Sequence, residues 1–325
     1  MLENKKILIT GGAGFIGSNL CERFVAQSNE VICLDNFLTG RKINIEPLLS
    51  KSNFTLIEGD IRDFEMCKKA VKGVDVVLHQ AALGSVPRSI NDPITTNSIN
   101  VSGFLNMLKS ADEEGVKRFV YAASSSTYGD SKSLPKVEDE VGKPLSPYAV
   151  TKLVNELYAN VFSSLYSIET IGLRYFNVFG RKQDPDGAYA AAIPKFVKAF
   201  IDYKSPVIHG DGEQSRDFTY IDNVIQANEL AATTTNADAV NQVYNVAYGE
   251  NTTLNELVPL LRELLTKFDA KISNIQVAHD IGRFGDIKHS LASIDKAFIL
   301  LGYKPTYTLK QGLVEAIDWY WNDLK

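Results

Sequence analysis

The segment SPYAVTKL (146–153) carries a tyrosine, Tyr148, four residues ahead of a lysine, Lys152. On a helix this spacing puts both side chains on one face, one turn apart, close enough for each to shift the other's ionisation. A phenol with a pKa near 10 is a poor base at neutral pH, and a neighbouring ammonium favours its phenolate, which makes it usable for proton transfer. Upstream, the apolar run RFVYAASSS ends in Ser124, Ser125 and Ser126. A serine hydroxyl can hold a substrate oxygen while a tyrosine moves its proton. Each feature alone is common, since tyrosine and lysine meet at this spacing on many helices and serine runs often form turns. Which of the three serines is the main hydroxyl partner stays open at this point.

A second constellation lies at the N-terminus. The run KILIT leads into GGAGFIG, with Gly11, Gly12, Gly14 and Gly17, and then into the helical pattern SNLCERFV. Glycines placed this way allow a tight turn and a close approach of the backbone to a pyrophosphate, which the free N–H groups at the helix start then face. Asp35 ends the next apolar run, EVICLD, 18 residues beyond Gly17. An acidic residue about 20 positions on completes the dinucleotide fingerprint, and its carboxylate accepts from the ribose hydroxyls and repels a 2′-phosphate. NAD is therefore expected rather than NADP, with Arg41 and Lys42 close enough in sequence to soften the preference. The positive ring of oxidised nicotinamide would be a further charge favouring the Tyr148 phenolate.

These residues need elements to hold them. KILIT, EVICLD, FTLIEGD, VDVVLHQAA, RFVYAASSS and ETIGLRYFNV alternate with segments of helical period. That rhythm predicts βαβ units on a doubly wound parallel sheet of Rossmann type, with strands apolar enough to be covered on both faces. Ser146 as N-cap and Pro147 as first helical residue start the tyrosine helix, whose Ala149, Leu153, Leu157 and Val161 are expected to face the core. Beyond residue 176 the rhythm breaks into loops rich in Gly, Asp and Pro. The division expected is a dinucleotide-binding domain over 1–176, to which the chain returns at about 218–248 through QVYNVAYG, and a smaller substrate-binding lobe from 177–217 and 249–325. Two capping boxes, Thr253 with Glu256 and Thr308 with Gln311, mark helices in that lobe.

Composition narrows the function classes. The 325 residues carry 34 basic and 39 acidic side chains, a net charge of −5, without the basic patch of a nucleic-acid binder. No stretch approaches the ~18 apolar residues of a membrane span, and the opening MLENKK has no signal-peptide core, so a cytoplasmic protein is expected. Cys21, Cys33 and Cys67 lack metal-ligand spacing and read as buried reduced thiols, with no metal site expected.

Taken in order, TGGAGFIG, GDIRD, HQAA, the serine cluster, YAVTK and RYFNVFG resemble the extended short-chain dehydrogenase/reductases, specifically the NAD-dependent nucleotide-sugar 4-epimerases, over nearly the whole chain. The resemblance implies Tyr148 as acid/base, Lys152 as the residue that holds the nicotinamide ribose and lowers the tyrosine pKa, and Ser124 as the hydroxyl partner. It implies cofactor contacts at Gly11, Gly14, Phe15, Ile16, Gly17, Asp35, Asn36 and Tyr175, with Asp60 and Ile61 bordering the adenine and Ala81 and Ala82 lining the groove. For a UDP-sugar substrate it implies Asn177 at the diphosphate, Arg216 and Arg283 at the nucleotide end, and further contacts from Ser85, Arg88, Ser125, Ser126, Ala191, Val207 and Asp286.

Sister dehydratases carry an Asp-Glu pair where Ser125 and Ser126 stand, so dehydration is not implied. GRFGDIKHS is similar to the segment that closes over the sugar, and Ser290 stands where epimerases restricted to plain hexoses carry a tyrosine, leaving room for an N-acetyl group. The activity implied is C4 epimerisation of a UDP-N-acetylhexosamine, neutral or uronate, through a 4-keto intermediate, in a homodimer. UDP-glucose/galactose epimerisation and UDP-glucuronate decarboxylation stay open within the family, as does a non-enzymatic dinucleotide sensor outside it.

Overall fold

A computed structural model describes residues 2–184, 192–281 and 288–325. Six strands, β1 (Lys6–Thr10), β2 (Glu30–Asp35), β3 (Phe54–Glu58), β4 (Val76–His79), β5 (Arg118–Ser124) and β6 (Glu169–Tyr175), form one parallel sheet. After four short strands, β7 (Val178–Phe179), β8 (Val207–His209), β9 (Ser215–Arg216) and β10 (Thr219–Tyr220), the chain returns as β11 (Gln242–Val246) to pair with β6. The order is β11-β6-β5-β4-β1-β2-β3. Because β1 pairs with both β2 and β4, successive crossovers diverge beside it and open a crevice at the carboxyl ends of the strands, where ligands of such sheets bind.

Strand residues divide between two apolar layers with the period of two that a pleated strand imposes. Ile7 and Ile9 pack on one side with Phe24 of α1 (Phe15–Ala26). Leu8 packs on the other with Cys67 of α2 (Phe64–Ala70), Phe104 and Met107. Between β4 and β5 lie α3 (Val86–Asn91), α4 (Pro93–Asn97) and α5 (Phe104–Glu113), and α6 (Pro147–Leu165) precedes β6. The first layer continues into the helices that follow: α7 (Ala192–Ile201), α8 (Ile221–Thr233), α9 (Leu254–Thr266), α10 (Asp295–Leu301) and α11 (Leu309–Asp323). β9 pairs with β12 (Thr252–Thr253), and β8 with β13 (Ala278–Asp280). Both capping boxes form, Thr253 with Glu256 opening α9 and Thr308 with Gln311 opening α11.

The orientation of α6 departs from the expectation. Ala149 is buried, but Leu157 and Val161 are 58% and 47% exposed and Leu153 is only partly covered. The row facing the sheet is Lys152, Asn155, Glu156, Ala159 and Phe162. Its two charged members are buried in partnership: Lys152 Nζ donates to the Ala122 carbonyl at 2.7 Å, and Glu156 accepts from Arg174 Nε and Nη2 at 2.9 and 2.8 Å, whereas Asn155 Oδ1 is buried without a hydrogen-bond partner among the described residues. A hydrogen-bonded charged row thus takes the inner face and leaves apolar side chains outside, which helical period alone does not decide.

Candidate active site

The glycine turn is built for a close-lying group. Gly11 has φ +65°, and a Cβ on it would stand 2.8 Å from the Ala81 amide nitrogen; one on Gly17 would stand 2.1 Å from the Gly11 carbonyl oxygen. No side chain caps the first turn of α1, so its N–H groups remain for an anion. Asp35 is 7% exposed; Oδ2 accepts from the Ala13 N–H at 2.9 Å and Oδ1 from the Phe37 N–H at 2.8 Å. Gly40 lies over this carboxylate, where a Cβ would come within 2.8 Å of Oδ1. The cradle and the carboxylate fit the pyrophosphate and ribose of NAD, and a 2′-phosphate would meet a negative group. Arg41 stands 4.0 Å from Asp184, a charge of its own to face.

Further along, a small cavity of about 90 Å³ is lined by Asp35, Asn36, Asp60, Ile61, Ala81 and Ala82. Asp60 is gripped by Arg62 at 2.6 and 3.0 Å and by Asn36 Nδ2 at 2.8 Å, which holds its carboxyl at about 2. The Ala81 N–H donates to Thr10 Oγ1 at 3.2 Å, and that hydroxyl lies 2.9 Å from His79 Nδ1. Burial holds His79 neutral down to about 3, and with its ring proton on Nε2 the Nδ1 accepts the Thr10 hydroxyl hydrogen bond and so fixes the turn that carries Ala81.

A central cavity of about 390 Å³ brings together Gly14, Phe15, Ile16, Gly17, Ser124, Tyr148, Lys152, Tyr175 and Asn177. Ser146 Oγ caps α6 by accepting from the Ala149 N–H at 3.1 Å. The Tyr148 N–H, which the helix itself leaves without an acceptor, donates to Ser89 Oγ of α3 at 3.0 Å. The phenol lies beside Ser124, whose side chain favours its ionised form. Ser124 Oγ in turn accepts from the Ser126 N–H at 3.2 Å and hydroxyl at 2.9 Å. Ser124 therefore faces the tyrosine, Ser126 supports it from behind, and Ser125 begins the turn that follows.

The electrostatics differ from the simple tyrosine–ammonium picture. Burial pushes the Tyr148 phenol up, and only the Ser124 side chain pulls it back. Burial brings Lys152 down to about 8, partly offset by the negative charge of Glu156. In the protein alone the lysine is engaged by the Ala122 carbonyl and desolvation dominates both groups. The positive ring that a bound dinucleotide brings would favour the phenolate.

A further cavity, of about 530 Å³, shares Asn177 and Val178 with the central one and is lined by Lys195, Phe196, Lys204, Val207, His209 and Arg216 among others. Asn177 has φ +33° and its Nδ2 donates to the Asp217 carbonyl at 3.1 Å. Asparagine tolerates this left-handed region better than most residues. Ser290 is tied to the Arg216 strand by its N–H to the Ser215 carbonyl at 3.1 Å. Ser85, with φ +144°, caps α3 and accepts from the Arg88 N–H at 3.1 Å. Ser85 and Arg88 do not line these cavities; Ser89 of α3 is the residue of this segment that meets Tyr148. Ala191, Arg283 and Asp286 lie outside the described residues.

Four residues escaped the sequence reading. Lys195 and Lys204 are cations at a cavity wall: Lys195 interrupts the apolar α7, a mismatch visible in AIPKFVKAF, and Lys204 follows that helix. Ser89 and Asp217 carry no sequence signal of their own, because their partners are distant in the chain. Among the described residues no group of three or more His, Cys, Asp or Glu is placed to hold a metal ion, and no helix is long and apolar enough to cross a membrane.

A glycine cradle, a buried carboxylate at the end of β2 and a Ser–Tyr–Lys cluster on a doubly wound sheet fit a nicotinamide-dinucleotide enzyme. The chain belongs to the NAD dependent epimerase/dehydratase family, whose model matches residues 7–247. It is 37% identical to the putative UDP-glucose 4-epimerase of Methanocaldococcus jannaschii over 319 residues, covering 98% of this chain and 99% of that one. The UDP-N-acetylglucosamine 4-epimerase of Methanobrevibacter ruminantium, solved with UDP-N-acetylmuramic acid, superposes with a TM-score of 0.91 at 37% identity, covering 98% and 99% of the two chains. The UDP-glucuronic acid 4-epimerase of Bacillus cereus, solved with UDP-glucuronic acid and NAD, gives 0.87 at 32% identity over 97% and 98%. The cofactor is NAD, and the relatives span several UDP-sugars.

Proposed function

We propose that the chain inverts C4 of a UDP-N-acetylhexosamine, UDP-GlcNAc/UDP-GalNAc or the corresponding uronates, through a 4-keto sugar. The observation that carries this reading is the junction of the two larger cavities. The Ser124–Tyr148 hydroxyl pair lies in one, and its wall, Asn177 and Val178, is also the wall of the cationic one. A diphosphate held by Arg216 and the nearby lysines would present its sugar to the hydroxyl pair, since paired cationic donors suit phosphate oxygens.

NAD, when bound, supplies the hydride acceptor and donor at C4. Tyr148 Oη takes the proton of the 4-hydroxyl and returns it, while Ser124 Oγ holds that oxygen. Lys152, anchored on the Ala122 carbonyl, holds the nicotinamide ribose and keeps a cation on the tyrosine's helix face. The N-acetyl assignment is supported by the short side chain at Ser290 beside the Arg216 strand and by the likeness to a UDP-N-acetylglucosamine 4-epimerase.

The partner in this reading is a second copy of the chain, seated on the outer face of α6, where Val150, Leu157, Val161 and Leu165 are exposed beside Ile94 of α4. Contiguous apolar faces of this kind mark interaction surfaces. Incubation of the purified protein with UDP-GlcNAc and with its uronate, separately, followed by proton NMR, tests the substrate. Interconversion of either at C4 is expected; turnover of UDP-glucose with neither converted would refute the N-acetyl assignment.

A further inference from the structure

Asp217 is a fully buried carboxylate that the proton chemistry at Tyr148 does not use. Both of its oxygens are taken by main-chain N–H groups from two distant segments. Oδ1 accepts from Tyr248 at 3.1 Å and Gly249 at 3.3 Å, and Oδ2 from Gly249 at 3.1 Å and Ala292 at 3.3 Å. Its own carbonyl receives Asn177 Nδ2. It directly follows Arg216, which lines the cationic cavity, and Ala292 lies two residues after Ser290. The side chain of Asp217 therefore ties the strand of Arg216, which lines the cationic cavity, to the Tyr248–Gly249 and Ala292 segments, while its main-chain carbonyl holds Asn177, a residue of both cavities.

Aspartate is the residue type this arrangement requires. Four contacts on two oxygens need acceptors on both, whereas a carboxamide offers one acceptor and turns its NH₂ toward N–H donors. A buried polar staple of this kind fixes the geometry of the segments it joins, and leaving its donors unmet is unfavourable. Removing it should loosen the setting of Arg216 and Asn177 together, while the glycine cradle and Asp35, on the far strands of the sheet, stay as they are.

We propose that Asp217 is a positioning residue for the nucleotide end of the substrate, acting through Arg216 and Asn177 and touching no ligand itself. The inference rests on the assignment of the cationic cavity to a UDP-sugar, and the experiment separates the two. The probe is UDP, titrated calorimetrically into the NAD-loaded wild type and Asp217→Asn, with NAD content and melting temperature measured on the same samples. The expected result is a UDP Kd raised about tenfold or more in the variant, with NAD occupancy unchanged.

A folded variant that binds UDP within twofold of the wild type overturns the proposal, as does a loss of NAD in proportion to the loss of UDP, the mark of general damage. If Asp217→Asn does not fold, Asp217→Glu, which keeps the charge and displaces the N–H groups by one methylene, is judged by the same two criteria. A wild type that takes no UDP overturns the substrate reading, and this inference with it, from the wild-type arm alone.

Discussion

Lys152→Met offers a test of how the catalytic helix is charged. In the cofactor-free protein the lysine is 2% exposed and burial brings it from 10.5 to about 8. The unfolded chain then binds more protons than the folded one between these values, so this group's contribution to stability rises with pH from about 8 to 10.5. Below pH 8 the folded protein carries a buried ammonium at a cost. At about 1.4 kcal/mol per unit the shift amounts to roughly 3 kcal/mol. Methionine has a similar length and no charge. The difference in unfolding free energy between the cofactor-stripped variant and wild type should therefore favour the variant most at pH 7 and shrink by up to about 3 kcal/mol by pH 10.5. Urea titrations at pH 7, 8, 9 and 10 measure it, and groups common to both proteins cancel. The constant part of the difference includes the lost bond to the Ala122 carbonyl and is not the test. A pH-independent difference would show that the Ala122 carbonyl and Glu156 compensate the ammonium fully, and the reasoning from burial would be wrong.

Tyr148→Phe removes only the phenolic proton carrier, and turnover should drop by at least ~10²-fold while UDP-sugar binding, measured by calorimetry, stays nearly the same. Ser89→Ala leaves the Tyr148 N–H without its acceptor, so kcat should fall by about tenfold with KM little changed, because a misplaced acid/base loses rate before affinity; unchanged kcat would show that the helix start holds itself. Reconstitution of stripped protein should strongly prefer NAD over NADP, and Asp35→Asn should narrow that preference, as read from activity against cofactor concentration. Ser290→Tyr should lower the ratio of kcat/KM for UDP-GlcNAc over UDP-glucose by ~10- to 200-fold if the position borders the C2 substituent, and an unchanged ratio would remove it from the pocket.

The parallel sheet was legible because each strand is an apolar run of the right length bounded by turn residues, and the glycines and Asp35 follow from what a pyrophosphate and a ribose require. Strand ends were less so. VDVVLHQAA supplies only Val76–His79 to the sheet, since Gln80, Ala81 and Ala82 leave it to line the groove. The spacing of Tyr148 and Lys152 was readable, but not the Ala122 carbonyl that engages the lysine, which comes from a strand 30 residues away. The same limit governs α6. An apolar row and a row with Lys152 and Glu156 both fit a helical period, and only Arg174 on β6 shows which one is buried. Ser89 and Asp217 act on groups brought near by the fold alone.

Asn177 and Val178 form a wall with a cavity on each side. If UDP and the dinucleotide take these two cavities, each presses on the same wall, and any coupling between them is reciprocal. Whatever factor bound UDP applies to the retention of the dinucleotide, the dinucleotide must apply to the retention of UDP, because the coupling free energy belongs to the pair. Where that factor departs from one, an affinity for either ligand is defined only once the occupancy of the other is stated, and a partly loaded preparation titrated with UDP is a mixture of two binding strengths.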